Sequence, residues 1–215
     1  ERAYGDFAEL VEREAARDDA VDFVVIVTPN HVHYEAAKAC LEAGFHVVCD
    51  KPFTVTSEQA RELRELADSK GRLCAVTYNY SGYPMVREAA ELVRSGAIGA
   101  VRKCFVEYHQ GWLSTDLAAT GQKQASWRAD PAKAGLGGAL GDIGTHAEQL
   151  LRFITGLEIE SLCADTTSFV PGRVLDDDAS VLMRLSGGAK ATLTASQICA
   201  GEANGFSIRV YGETG

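Results

Sequence analysis

The segment VVIVTPNHVHYEAAKACLEAGFHVVCDKP, Val24 to Pro52, decides what kind of fold this sequence makes. It belongs to DFVVIV (Asp22 to Val27), a continuous β-branched run of the kind buried on both faces of a parallel sheet. Thr28-Pro29-Asn30 breaks the run, and the residues from Tyr34 to Ala43 read as a helix stopped by Gly44. HVVC (His46 to Cys49) is a second strand, and Asp50-Lys51-Pro52 follows it directly. Strand, helix and strand joined by short connections imply parallel pairing through a right-handed crossover.

The pattern repeats outward from this unit. A helix that Ser57 could cap runs to Gly71, LCAVTYN (Leu73 to Asn79) is a third strand, and Met85 to Arg94 a further helix. FAELVEREAAR (Phe7 to Arg17) is a helix ahead of the first strand. In parallel sheets ligands collect beyond the carboxyl ends of the strands. Those ends carry Thr28-Pro29-Asn30, Asp50-Lys51-Pro52 and Tyr78-Asn79, so Lys51 falls at an expected site.

After about Gly99 the pattern changes. Val101 to His109 alternates, and Ser180 to Leu185 and Ala189 to Ile198 are strand-like, with Ala191, Leu193 and Ala195 facing one way and Thr192, Thr194 and Ser196 the other. That alternation predicts a half-exposed antiparallel sheet. A long polar loop (Trp112 to Leu136) and a helix from Asp142 to Thr155 lie between these strands. The fold class expected is therefore α/β: a partial parallel sheet over residues 1–99, followed over residues 100–215 by an α+β domain with an open antiparallel sheet.

Composition narrows the function. The 215 residues are 46% hydrophobic and 24% charged, as expected of a globular chain with a core. A formal net charge of -9 argues against nucleic acid and against an anionic membrane as partner, since both need a basic face. No apolar run is long enough to span a bilayer. The six cysteines are widely spaced and form no C-x-x-C, so they read as small buried hydrophobes of a reducing, cytoplasmic compartment.

GGALGDIGTH, Gly137 to His146, is the second informative stretch. Asp142 fits a helix N-cap and His146 lies one turn on, so both leave the same side of the first turn. Taken alone, the pair is more simply a cap and a core histidine. His31-x-His33 does not make a metal site, because i and i+2 on a helix face apart and no third ligand is suitably spaced. Asp176-Asp177-Asp178 reads as a solvated turn before a strand.

Three stretches together resemble one family, the Gfo/Idh/MocA oxidoreductases (glucose–fructose oxidoreductase, inositol dehydrogenase and relatives). VVIVTPNHVHYEAAKACLEAGFHVVCDKP is similar to the family's strand, Thr-Pro-Asn loop, helix and Glu-Lys-Pro signature, with Asp50 in place of the glutamate. YNYSGYPMVREAAELVRSGAIGAV (Tyr78 to Val101) resembles the next strand and helix, and SWRADPAKAGLGGALGDIGTHAEQLL (Ser126 to Leu151) the aspartate–histidine signature. The resemblance implies a Rossmann domain holding NAD or NADP and a small-molecule sugar or polyol substrate, in a homo-oligomer (dimer or tetramer). It implies Lys51, Asp142 and His146 as the catalytic group, and Thr28, Pro29, Asn30, His33, Asp50, Lys51, Trp127 and Arg128 as cofactor contacts. An NAD-dependent glycoside hydrolase, or a non-catalytic sugar or cofactor binder, could use the same scaffold. The family's G-x-G-x-x-G turn is not among these residues: GLGGALG (Gly135 to Gly141) has Leu140 at the third glycine and no strand before it. The chain is therefore expected to be part of a longer protein.

Overall fold

The computed structural model describes residues 1–215, which fold as two compact units, Glu1–Thr77 with Ala132–Gly135, and Tyr78–Pro131 with Leu136–Gly215. No helix is long and apolar enough to cross a membrane.

In the first unit, helix α1 (Phe7–Ala15) precedes β1 (Phe23–Ile26), α2 (Asn30–Glu42), β2 (His46–Cys49), α3 (Ser57–Lys70) and β3 (Cys74–Val76). The strands form a parallel sheet in the order β1-β2-β3. α2 stops where Gly44 takes φ 90, and Phe45 N–H returns to the Cys40 carbonyl. α3 is capped by Thr56 rather than Ser57: the Thr56 hydroxyl accepts from Gln59 N–H, and Ser57 is already helical. The core runs through Ile26, Ala37, Cys40, Leu41, Val47, Cys49 and Leu63. Only one face of β1 is covered. Phe23 and Val25 are about half exposed, contrary to the expectation of a strand buried on both faces.

The second unit holds α4 (Pro84–Arg94), β4 (Lys103–His109), the short helices α5 (Lys123–Arg128) and α6 (Pro131–Ala134, its last three residues grouped with the first unit), then α7 (Thr145–Thr155) and β5 to β8 (Ile159–Thr167, Asp178–Leu185, Lys190–Ser196, Gly205–Tyr211). Its five strands lie in the order β5-β6-β7-β4-β8. The sheet is mixed, not antiparallel: β4 and β7 pair in parallel, while the other pairs are antiparallel. Alternation along a single strand reports which residues face the core but not the direction of its neighbour, which is why the sequence could not show this. Cys104, Val106 and Tyr108 of β4, Val181 and Met183 of β6, and Ala191, Leu193 and Ala195 of β7 face Ile143, Ala147 and Leu151.

Two further expectations change. The segment read as a polar loop contains α5 and α6. Asp176 and Asp177 are not solvated. Asp177 is 1% exposed, accepts from Phe169 and Val170 N–H at 2.8 and 3.0 Å, and pairs with Arg173 at 3.0 Å. Arg173 in turn donates to the carbonyls of Leu113 and Thr115. The acidic run that looks like a surface turn is thus an internal clamp on two loops, satisfied by donors that come from elsewhere in the chain. Asp177→Ala removes the carboxylate, leaves Arg173 buried without its charge partner, and strands two backbone donors. The expected loss is about 3–5 kcal/mol, read from urea denaturation of the full-length protein.

Candidate active site

At the carboxyl ends of the first unit's strands, the predicted residues are held largely through the main chain. Asp50 N–H donates to Ile26 O at 2.9 Å, and Thr77 N–H to Cys49 O at 3.0 Å. The Asp50 carboxylate accepts from Lys51 N–H at 2.9 Å and from the Thr77 hydroxyl at 2.7 Å, so it ties the β2 end to the β3 end. His33 is fully buried, with one ring nitrogen 2.8 Å from Thr28 O and the other 2.8 Å from Pro52 O. Its ring is spent on these carbonyls. What His33 contributes to a ligand is therefore the position of the two loops it joins. Asn30 is also buried and donates to Ala134 O at 2.9 Å. Thr28 stays exposed, Pro29 and Lys51 are half-buried, and the Lys51–Pro52 peptide is cis.

In the second unit, the glycines before Asp142 serve a close approach. Gly138 and Leu140 N–H donate to the Asp176 carboxylate at 2.6 and 2.7 Å, and Ala139 N–H to Asp176 O at 2.8 Å. A Cβ on Gly138 would lie 1.9 Å from that carbonyl oxygen. The chain then makes a π-turn, Leu140–Gly144, before α7 begins at Thr145. Asp142 is therefore inside a turn and not an N-cap. Its side chain is aimed sideways, where Oδ2 accepts from Arg128 Nε at 3.1 Å and from Gln197 Nε2 at 2.9 Å. The Arg128 guanidinium lies 4.2 Å above the Trp127 ring and 5.9 Å from that of Trp112.

His146 is 6% exposed and ringed by tyrosines. Tyr80 meets it edge-on at 4.9 Å, Tyr78 at 5.7 Å, and Tyr108 lies at 6.3 Å. The Tyr80 and Tyr108 hydroxyls are 2.6 Å apart, and Tyr108 donates onward to Asn204 Oδ1 at 2.8 Å. Burial, and then the bond with Tyr80, push the Tyr108 phenol well above its ordinary range; burial also raises Tyr78. Both stay neutral at physiological pH.

Tyr80, Gln197 and Asn204 were not picked out from the sequence. A signal for them does exist. The inward row Ala179–Ala195–Tyr108–Phe206 crosses β6, β7, β4 and β8. Two residues further along each strand towards the same end of the sheet, the row becomes Asp177, Gln197, Gln110 and Asn204. Gln197 N–H donates to Asp177 O, and Gln110 Nε2 to Asn204 Oδ1. A core face that turns polar at one end on four strands marks a site, but seeing it requires the strand order. Lys51 belongs to the first unit, and Asp142 and His146 to the second.

Comparison with known proteins gives the family. Residues 2–78 match the oxidoreductase family with an NAD-binding Rossmann fold, and residues 86–215 match the GFO/IDH/MocA C-terminal domain. The chain belongs to the Gfo/Idh/MocA oxidoreductase family. Among its relatives are the uncharacterized oxidoreductase YfiI of Bacillus subtilis, 39% identical over 99% of this chain and 54% of that protein, and the levoglucosan dehydrogenase of Pseudarthrobacter phenanthrenivorans, 29% identical over 94% and 56%. The crystal structure of an inositol dehydrogenase homolog from Azotobacter vinelandii, complexed with NAD+, is 38% identical with a TM-score of 0.94, over 99% of this chain and 55% of that one. The chain spans about half the length of the curated relatives it matches.

Two glycines beside Asp142 should respond oppositely to alanine. Gly138→Ala forces the Asp176 carbonyl away and should cost about 1–3 kcal/mol. Gly141, whose Cβ would meet nothing within 4 Å, should be neutral or gain up to about 1 kcal/mol on the same change. Thermal unfolding of the two full-length variants checks the contrast.

Proposed function

We propose that the protein is an NAD(P)-dependent dehydrogenase that oxidises a secondary alcohol of a sugar, inositol or related polyol. The observation that carries this reading is the second unit's pair: a buried histidine held by three tyrosine rings, preceded by an aspartate that two donors clamp. The names of the relatives, a levoglucosan dehydrogenase and an inositol dehydrogenase homolog, point to the same substrate class.

The first unit's strand-end loops fit the nicotinamide end of a dinucleotide. Their turns are anchored from beneath by His33, Asn30 and the Asp50 carboxylate, so Thr28 and Pro29 can face a flat ring while Lys51 projects from the same loops. In this reading Trp127 and Arg128 also serve the cofactor, although Arg128 is engaged with Asp142. When bound, the nicotinamide supplies a hydride acceptor for the carbon that bears the reacting hydroxyl.

The chain's own residues handle the proton and the charge. His146 takes the hydroxyl proton at a ring nitrogen, a task suited to imidazole because it exchanges protons near neutral pH. The Lys51 ammonium, carried on the first unit's loops, is suited to donate to a substrate oxygen and lower the cost of its developing negative charge. Asp142 accepts from a neighbouring hydroxyl and fixes which carbon reacts. Tyr78, Tyr80 and Tyr108, packed around the ring, exclude water from His146.

The outer face of the second unit's sheet supports assembly into a homo-oligomer. Leu182 is 63% and Tyr211 48% exposed, with Phe105 half-buried nearby, on strands that carry no helix on that side.

Two measurements test these readings. Lys51→Ala and His146→Ala in the full-length protein should each cut net NADH formation from NAD+ and myo-inositol, glucose or levoglucosan by at least about a hundredfold. Full activity in either variant would sink the assignment. Light scattering of the full-length protein should give a dimer or tetramer, and Leu182→Glu should lower that mass.

A further inference from the structure

Gln197 is 2% exposed and lies one residue beyond β7, where the inward alternation of Ala191, Leu193 and Ala195 calls for another small apolar side chain. An amide buried in that register costs stability unless it is hydrogen-bonded. Here it is: Nε2 donates to Asp142 Oδ2 at 2.9 Å, across 55 residues of sequence. The same oxygen receives Arg128 Nε from α5. One donor therefore comes from the rigid end of the sheet and the other from a short helix on a connecting segment. The backbone of Gln197 is also fixed, because its N–H donates to Asp177 O and its carbonyl accepts Leu113 N–H. Arg128 is a long, partly exposed side chain that also spends Nη1 on Gln124. Of the two donors, the glutamine is the one whose position the fold determines.

We infer that Gln197 is a positioning residue for the reaction: anchored at the end of the parallel β4/β7 pair, it sets the rotation of the Asp142 carboxylate and thereby the placement of the polyol ring. The inference rests on the dehydrogenase reading above. A carboxylate held through one oxygen by two donors cannot turn without losing a charge-assisted bond. Asp142 lies in a π-turn and caps no helix, so its carboxylate is directed by side-chain donors, and the sheet end supplies one of them.

The charged and titratable groups near Asp142 within this unit include Arg128 from α5 and Tyr108 from β4, with His146 one turn on along α7. None is altered by changing Gln197, which makes two substitutions informative in the full-length protein. Gln197→Leu removes the donor. Gln197→Glu keeps the shape and sets a second carboxylate beside the first, so Asp142 should hold its proton to higher pH.

Carboxyl-carbon NMR of Asp142 should show that upward titration in Gln197→Glu, and the acid limb of kcat/KM should move up with it, because activity is lost as pH falls through the raised value. In Gln197→Leu, KM for the polyol should rise about tenfold, with a smaller change in kcat and unchanged affinity for NAD+. An unmoved Asp142 titration, or an unchanged KM, overturns the inference. If the wild-type protein turns over no polyol, the dehydrogenase reading fails, while the NMR titration still decides whether Gln197 holds Asp142.

Discussion

Parallel pairing of β4 with β7 is the constraint on which the second unit depends. Two parallel neighbours end at the same edge of a sheet, so whatever follows them in sequence is delivered to one place. Here their register sets His109 opposite Ser196, and the inward row continues into Gln110 and Gln197 side by side. The antiparallel neighbours β6 and β8 enter the sheet at that same edge and add Asp177 and Asn204. The end of the core is polar on four strands at once. The buried pair, Asp177 and Gln197, is satisfied by hydrogen bonds, as are the more accessible Gln110 and Asn204 beside it, so this polar row carries no cost of unpaired atoms.

The first unit solves a similar problem with fewer residues. Three parallel strands present three loops at one edge, and loops there have no ladder to fix them. His33 crosses beneath two of them and Asp50 ties the second to the third. Both act on backbone atoms or short side chains, so the loop surface is left for something else to contact. This explains how residues 28 to 30 and 50 to 52 can be well defined although none of them sits inside a strand.

Much of the first unit was legible in the sequence because its signals are local. Apolar runs of four residues, a glycine in the left-handed region at 44 and 71, and a lysine-proline at a strand end each depend on neighbours within about one turn. The second unit was read less completely, and the reason is the same in each case. The Asp176–Asp178 run looked solvated because its donors lie 4 to 38 residues away. Asp142 looked like a cap because the π-turn is a property of how Gly138 meets Asp176, not of the residues within the turn. Gln197 was passed over because its partner is in another element. Lys51, Asp142 and His146 were singled out through motif order, which rests on resemblance and not on any contact legible in the sequence.

The tyrosines around His146 have one more consequence. Asn204 Oδ1 takes two donors, the Tyr108 hydroxyl and the Gln110 amide, and Trp112 supplies the hydrogen on the other side of Gln110. Since Tyr108 gives its only proton to Asn204, Tyr80 must give its own to Tyr108. Every bond in the chain then points outward and terminates on an amide oxygen, a group too weakly basic to carry a proton away. The direction of the bonds from Tyr80 to Asn204 is thereby fixed, and neither tyrosine hydroxyl keeps a hydrogen to offer a further acceptor.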